Sequence, residues 1–154
     1  MPLRMFGAPT DHAPLEWAWV EEQLSASDTY WVTPTATAWP HPRPVWGIWA
    51  DERLCLSLGS PVIRAALAAD PRCTIHLPSG TDVVIVEGEA AALVSASELI
   101  AAYDAKYDWT YALDEYGPFT AIAPNTVSAW RAVGPAGRDG FGQSGRWSFG
   151  PQPS

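Results

Sequence analysis

The sequence predicts a mainly β fold, an antiparallel barrel with flanking helices, built as a single domain. Six or seven short extended runs, separated by turn residues, are spread over the 154 residues. A few amphipathic segments with helical spacing fall between these runs. Closing the sheet into a barrel would remove the edges that so many short strands otherwise expose. A sandwich of two sheets is the structural alternative.

The first half of the chain begins with an arm and a helix. Residues 1–13 form a loose N-terminal arm, and Pro14 suits the first turn of a helix that ends near Ser25. Strands are predicted over residues 30–33, 45–49 and 54–58. Along the third of these strands the leucines share one face, while Cys55 and Ser57 share the other.

The second half alternates helices and strands. Ser60 is a good N-cap for a helix that begins at Pro61 and stops at Asp70. A second helix is opened by the capping-box spacing of Ser95 and Glu98. Strands are predicted over residues 73–77, 83–93, 119–123 and 127–133, with Pro124-Asn125 as the last turn.

Residues 134–154 differ in composition from the rest of the domain. They are rich in glycine and show no periodicity, which predicts a flexible tail or lid. This tail carries Arg146, Trp147 and Phe149 near its end, and burial of two aromatic rings would stabilise a docked state. The prediction is a glycine-rich tail that ends in an aromatic anchor, with a disordered tail as the alternative.

Composition excludes several classes of function. The formal net charge is −8 with scattered basic residues, which argues against a nucleic-acid partner. No apolar run approaches the ~20 residues that span a membrane, and no signal peptide is recognisable. Cys55, Cys73 and the three histidines show no metal-ligand spacing, and no nucleophile or phosphate-loop motif occurs. We therefore expect a cytoplasmic protein with no metal and no catalytic side chain.

Two segments could hold a ligand. Ser57, Ser60 and Arg64 could together bind a phosphate at a helix N-terminus, although an ordinary capped helix with an exposed arginine explains them equally well. Arg43-Pro44-Val45-Trp46 is stiffened by proline and could lie along a planar heterocycle. An edge strand with core aromatics is the plain interpretation of that segment.

Six segments, in order, resemble the pyridoxamine 5'-phosphate oxidase-like split-barrel family, most closely its actinobacterial deazaflavin-dependent branch. They are YWVT (30–33), HPRPVWGIW (41–49), SPVIRAALAADPRCTIHL (60–77), DVVIVEGEA (82–90), KYDW (106–109) and RWSF (146–149). The resemblance implies a six-stranded split barrel of Greek-key type that forms a homodimer with two cofactor sites at the subunit interface. It departs at Ile63, where relatives often carry Lys, at Ala66 in place of Asn, and at Gly145 in place of Thr.

The resemblance also assigns roles to residues. Arg43, Pro44, Val45 and Trp46 would lie along the cofactor ring, and the segment from Ser57 through Ser60 to Arg64 would meet its phosphate. Arg146 and Trp147 would pack near the site, often from the partner subunit. A small unsaturated substrate would sit over the exposed ring face near Trp46, Trp109 and Trp147.

The expected activity is hydride transfer between a reduced cofactor and that substrate, because such a cofactor needs no protein nucleophile. The cofactor implied is the 8-hydroxy-5-deazaflavin coenzyme, factor 420, with FMN as the alternative. A second class of function is a non-enzymatic protein that stores or binds a deazaflavin, FMN or a tetrapyrrole.

Overall fold

The computed structural model describes residues 4–5, 8–9 and 13–150. The strands are β1 (Arg4–Met5), β2 (Ala8–Pro9), β3 (Tyr30–Pro34), β4 (Arg43–Ala50), β5 (Arg53–Ser57), β6 (Arg72–His76), β7 (Asp82–Val94), β8 (Phe119–Ala132) and β9 (Phe141–Ser148). The helices are α1 (Trp17–Ala26), α2 (Pro61–Ala69), α3 (Ser97–Tyr107) and α4 (Leu113–Tyr116). Most of the predicted N-terminal arm, residues 1–13, lies outside the described residues, apart from the β1–β2 pair.

Six antiparallel strands close into a barrel. Their order is β5-β4-β3-β6-β7-β8, and pairing of β5 with β8 completes the ring. The hairpins join β3, β4 and β5, and β6 then returns beside β3 after α2, which is the Greek-key order. The predicted class, a mainly β antiparallel barrel with flanking helices, is confirmed.

The barrel interior is the main hydrophobic core. Leu54, Leu56 and Leu58 point into it, while Cys55 belongs to a second cluster on the outer face of the wall. The predicted two-faced character of this strand is therefore confirmed. On β4 the same alternation sends Val45 and Trp49 inward and leaves the even-numbered side chains outside. The outer face of β4 and β5 is covered by α3, and this is where the candidate site lies.

The helix boundaries match the sequence in part. Ser60 caps α2 as predicted, since its hydroxyl accepts a hydrogen bond from the Ile63 amide. The first helix begins at Trp17, three residues after Pro14. The predicted capping box of Ser95 and Glu98 is wrong, because α3 begins at Ser97 after Ala96 and has no side-chain cap.

The predicted turn at Pro124-Asn125 is also wrong. Residues 119–132 form one continuous strand that pairs along its length with the equally long β7. Gly88 faces Pro124, and the register shifts by one residue there, so the proline sits at a β-bulge. A Cβ on Gly88 would approach the Ala123 carbonyl oxygen to 2.6 Å, so the missing side chain is what allows this close pairing.

Within residues 134–150 the glycine-rich segment forms regular structure, where the sequence predicts a flexible tail or lid. Residues 135–137 form a 3-10 turn, and residues 141–148 form β9, which pairs antiparallel with β8. The rings of Trp147 and Phe149 lie 5.3 Å and 5.4 Å from that of Trp17. The end of the segment therefore packs on α1 of its own chain.

Candidate functional site

An aromatic pocket lies on the outer face of β4, where α3 ends. Trp46 stacks on Tyr107 with ring centroids 4.4 Å apart and planes 2° from parallel, and Trp109 meets it edge-on at 5.8 Å. Trp46 nevertheless remains 41% exposed. The pocket has a volume of about 120 Å³ and is lined by Trp46, Ser57, Tyr103, Trp109, Tyr111 and Tyr116.

Backbone geometry brings these side chains together. Ser57 on β5 is the register partner of Trp46, so both project from the same face of the wall. At the end of α3, Asp108 adopts a left-handed conformation, with φ 48° and ψ 54°. This residue ends the helix and redirects the chain, which lets Trp109 return over the pocket.

The polar groups of the pocket are a serine and phenols. Burial raises the pKa values of Tyr103 and Tyr111, while hydrogen bonding to Ser57 acts in the opposite direction. The Tyr111 hydroxyl also donates to the Gly117 carbonyl at 2.6 Å. Both phenols are therefore neutral at physiological pH, and the pocket offers hydrogen-bonding groups without charge.

The end of α3 is fastened to β4 by two side chains. Lys106 Nζ donates to the Tyr30 hydroxyl at 2.8 Å and to the Gly47 carbonyl at 2.9 Å. The Tyr107 hydroxyl accepts from the Gly47 amide at 3.0 Å and donates to the Asp28 carbonyl at 2.8 Å. Burial lowers the pKa of Lys106 to about 8 and raises that of Tyr107 to about 12.

A larger groove adjoins the aromatic pocket at Tyr116, which lines both. It has a volume of about 460 Å³ and runs between α2, residues 90–93 of β7 and residues 116–118. We call it the alanine groove, because Ala68 and the three alanines at 90–92 leave it open. Arg64 is its only cationic lining residue, and none of the ion pairs in the described part of the chain involves it.

The helical geometry of α2 determines which of its side chains faces the alanine groove. Ile63 is fully buried in the main core, so a lysine at this position would point inward. Arg64 is the next residue, about 100° further round the helix, and it lines the groove instead. Ser60 uses its hydroxyl to cap the helix and lines neither the groove nor the pocket.

The segment from Arg43 to Val45 has one free side. Its residues pair with β3, whereas the register with β5 begins only at Trp46. Arg43 and Pro44 are exposed, and the Arg43 guanidinium donates to the Pro42 carbonyl at 2.8 Å. The segment leads directly into the aromatic pocket through Trp46.

Arg146 and Trp147 lie elsewhere in the chain. The Trp147 ring packs against the main core on Trp17, and the Trp17 ring also lies 6.4 Å from that of the inward-facing Trp49. The aromatic pocket, in contrast, is on the outer face of β4, where Trp46 projects. Neither Arg146 nor Trp147 lines the pocket or the groove. Of the predicted site residues, a single chain brings together Trp46, Ser57 and Trp109, and places Arg64 in the adjoining groove.

Sequence reasoning missed the tyrosines at 103, 107, 111 and 116, together with Lys106. The signal for two of them was present, because Tyr103 and Tyr107 are spaced one helical turn apart. In the sequence alone, that spacing indicates no more than an apolar stripe on one face of the helix.

Two kinds of feature are absent from the described residues. No group of three or more His, Cys, Asp or Glu side chains there could hold a metal ion. None of the helices in that part of the chain has the length and apolar character needed to span a bilayer.

Comparison with known proteins finds a shared fold at low sequence identity. No protein-family model matches the chain, and no curated protein matches it in sequence. Among solved structures, an FAD-binding protein from Mesorhizobium loti aligns with a TM-score of 0.57 at 16% identity, over 75% of this chain and 94% of that one. A proposed pyridoxamine 5'-phosphate oxidase from Listeria innocua aligns with a TM-score of 0.56 at 15% identity, over 73% and 95%.

A heme-binding protein from Mycobacterium smegmatis has the same fold, with a TM-score of 0.58 at 20% identity, over 88% of this chain and 60% of that one. These neighbours, of which one is described as a proposed pyridoxamine 5'-phosphate oxidase, share the fold of this chain at 15–20% sequence identity. This agrees with the resemblance seen in the sequence at the level of the fold.

Proposed function

We propose that this protein binds a flavin-type cofactor across the aromatic pocket and the alanine groove, and acts as an oxidoreductase. The observation that carries the proposal is that the two spaces share Tyr116 as a lining residue, with exposed aromatic rings in one and Arg64 in the other. Ligand sites commonly measure about 300–1,000 Å³, and the groove and pocket together reach that range. The chemistry of the lining also fits, because aromatic side chains stack on a planar ring system. The Arg64 guanidinium, which takes part in no ion pair of the described residues, can bind a phosphate.

Each end of the site would hold a different part of the ligand. Trp46, Trp109 and the open side of residues 43–45 would contact the ring system, and Arg64 would contact the phosphate. Ser57 and the neutral phenols would hydrogen-bond to the ring system without adding charge. When bound, a reduced cofactor would supply the hydride, and the side chains would position a small unsaturated substrate and exclude water. The deazaflavin coenzyme is the first candidate and FMN the second.

The proposal includes a homodimer. Arg146 and Trp147 cannot line the pocket of their own chain as they stand, so a contribution from them would come from a second copy. The two cysteines of the described residues are both unpaired and buried, which fits the reducing cytoplasm expected for such an enzyme.

A binding or storage protein for a deazaflavin, FMN or tetrapyrrole is the second candidate. It is favoured by the pocket lining, which offers phenols and a serine but no His, Asp or Glu as a general acid or base. Turnover of an added reduced cofactor with a panel of unsaturated substrates separates the two functions. Tight binding without turnover supports storage.

The test of the cofactor site is a titration of the protein with FMN and, separately, with the deazaflavin coenzyme, followed by quenching of tryptophan emission. We expect saturable binding, weakened about tenfold or more in Arg64→Ala, because a charge-assisted bond to phosphate contributes ~1.5–3 kcal/mol. Arg138→Ala, which removes an exposed arginine outside the groove, should leave the affinity unchanged.

The outcomes are distinct. Preference for FMN would indicate that the cofactor is a flavin and not the deazaflavin coenzyme. Unchanged affinity in Arg64→Ala would refute the phosphate contact, and absence of saturable binding by either compound would refute the cofactor site.

A further inference from the structure

The junction between α3 and β4 contains a feature that the cofactor proposal does not use. Strand β3 begins at Tyr30, opposite Val45, so the backbone of Gly47 lies beyond the end of β3. Side chains from α3 take the place of the missing strand there. Tyr107 binds the amide of Gly47, and Lys106 binds its carbonyl. These bonds satisfy main-chain groups that would otherwise lack a partner.

Lys106 is the only lysine in the chain, and it has an unusual setting. Its ammonium donates to two neutral oxygens rather than to a carboxylate. The nitrogen also lies 4.8 Å from the ring centroid of Tyr30 and 5.2 Å from that of Tyr107. Cation–π contacts of this kind contribute ~0.5–2 kcal/mol when partly desolvated. The side chain thus joins three elements, β3, β4 and α3, at one point.

The rest of α3 packs on the barrel through apolar side chains. It lacks a side-chain N-cap, and Tyr103 is the one buried residue among its eleven, with Leu99 and Ile100 partly buried against the outer cluster. The bonds at Gly47 are the polar contacts that tie its C-terminal turn to β4. That turn carries Tyr107, whose ring is the surface on which Trp46 stacks. Trp46 is 41% exposed, and Tyr107 is the ring that stacks on it face to face, whereas Trp109 meets it only edge-on.

We propose that Lys106 is the positioning residue of the aromatic pocket, tying α3 to Gly47 so that the Tyr107 ring holds Trp46 in place. Lys106 itself does not line the pocket, so it acts through the two rings. The consequence for ligand affinity rests on the proposed function, whereas the consequence for Trp46 does not.

The first test is spectroscopic and needs no ligand. The near-ultraviolet circular dichroism of Trp46 is isolated as the difference between a protein and its Trp46→Phe variant, in the wild-type and Lys106→Met backgrounds. We expect the Trp46 band to lose at least half its intensity in Lys106→Met while far-ultraviolet spectra stay the same. Glu98→Gln, which removes an exposed charge from the first turn of α3, should leave the band unchanged.

Lys106→Gln provides a second variant if Lys106→Met fails to fold. It keeps a donor of similar reach without the cation, so an intermediate band is expected. An undiminished Trp46 band in a folded Lys106 variant would overturn the proposal. A purely structural role would lower the free energy of unfolding but would not change the Trp46 band of the folded protein.

The second test adds FMN to the same proteins. If the pocket holds the ring, Lys106→Met should weaken FMN binding about five- to tenfold, and Glu98→Gln should not. A diminished band in Lys106→Met, with a wild type that binds neither FMN nor the deazaflavin coenzyme, would support the positioning role and refute the proposed function. A diminished band with unchanged FMN affinity would refute the placement of the ring against Trp46.

Discussion

Gly47 is the residue at which packing and the candidate site meet. Its amide and carbonyl are bound by α3, and its missing side chain lets β4 approach β5 closely. A Cβ at this position would lie 2.7 Å from Leu56 Cδ2 and 2.8 Å from the Cys55 carbonyl oxygen. The backbone contact cannot be relieved by a rotamer change, so the strands themselves would have to separate.

Gly47→Ala is therefore expected to lower the free energy of unfolding by ~1–3 kcal/mol, the usual cost of overpacking a closed site. Urea denaturation at pH 7 measures it. Gly80→Ala is the matched control, because a Cβ there meets nothing within 4 Å, and its effect should stay within about 0.5 kcal/mol. Equal stabilities of the two variants would show that β4 and β5 can move apart freely at Gly47.

Two of the predicted site residues that line the pocket share a property. Trp46 and Ser57 sit on strands whose alternation places them on the outer face by local rules alone. The tyrosines that complete the pocket come from α3 and the chain after it. Their contact with Trp46 depends on how α3 docks on the barrel, and a single sequence without tertiary information does not specify that docking.

At the scale of elements, local turn chemistry was outweighed by pairing. Pro124-Asn125 has the composition of a hairpin turn, yet β7 and β8 pair on both sides of it. A bulge accommodates the proline because Pro124 and Asn125 together oppose Gly88, while the Asn125 carbonyl accepts from Phe149. Long-range pairing of this kind has no signal in the two residues themselves.

In strand β9 too, pairing with a neighbouring strand outweighs local composition, here in a segment rich in glycine. Its glycines predict flexibility, but the exposed edge of β8 provides a template for pairing. The rings at its end supply the apolar contact, since Trp147 packs on Trp17. An aromatic anchor was visible in the sequence, whereas the edge that it docks beside was not.

Trp147→Ala should therefore destabilise the protein by about 2 kcal/mol, below the ~3–5 kcal/mol of a fully buried tryptophan because this ring is only half-buried. Thermal denaturation followed by far-ultraviolet circular dichroism measures the change. Ser148→Ala, at the next and exposed position of β9, should fall within about 0.5 kcal/mol of the wild type. Equal melting of both variants would mean that the β9 end contributes nothing to the fold.

For the molecule as a whole, the sequence predicted the class and the chain order of most strands. The alternating leucines of β5 and the capped helix α2 are local features, and both predictions are confirmed. Closure through β5 and β8 joins Leu56 with Thr120, residues far apart in the chain. Closure was inferred from the need to remove sheet edges, and that argument predicts a barrel without specifying which strands meet.

The closed core also predicts how stability depends on pH. Burial raises the pKa of the Cys73 thiol from 9.0 to about 12, and that of Cys55 to about 11. In each case the neutral thiol is favoured by folding, so its contribution is fully present below pH 9. It is lost as the pH rises from 9 towards the folded-state pKa, because the unfolded chain releases its proton first. Burial of the Tyr30 phenol, which raises its pKa, adds a similar loss above pH 10.

Cys73→Ala isolates one of these contributions. Between pH 9 and 11 the wild type should lose about 2 kcal/mol more free energy of unfolding than Cys73→Ala does, since each unit of pH is worth ~1.36 kcal/mol per titrating group. Urea denaturation across this range, in the presence of a reductant, measures the difference. Thr74→Ala, next along β6 and without a titrating group, should retain the wild-type slope. An equal loss in wild type and Cys73→Ala would mean that this thiol ionises as readily in the barrel as in the unfolded chain.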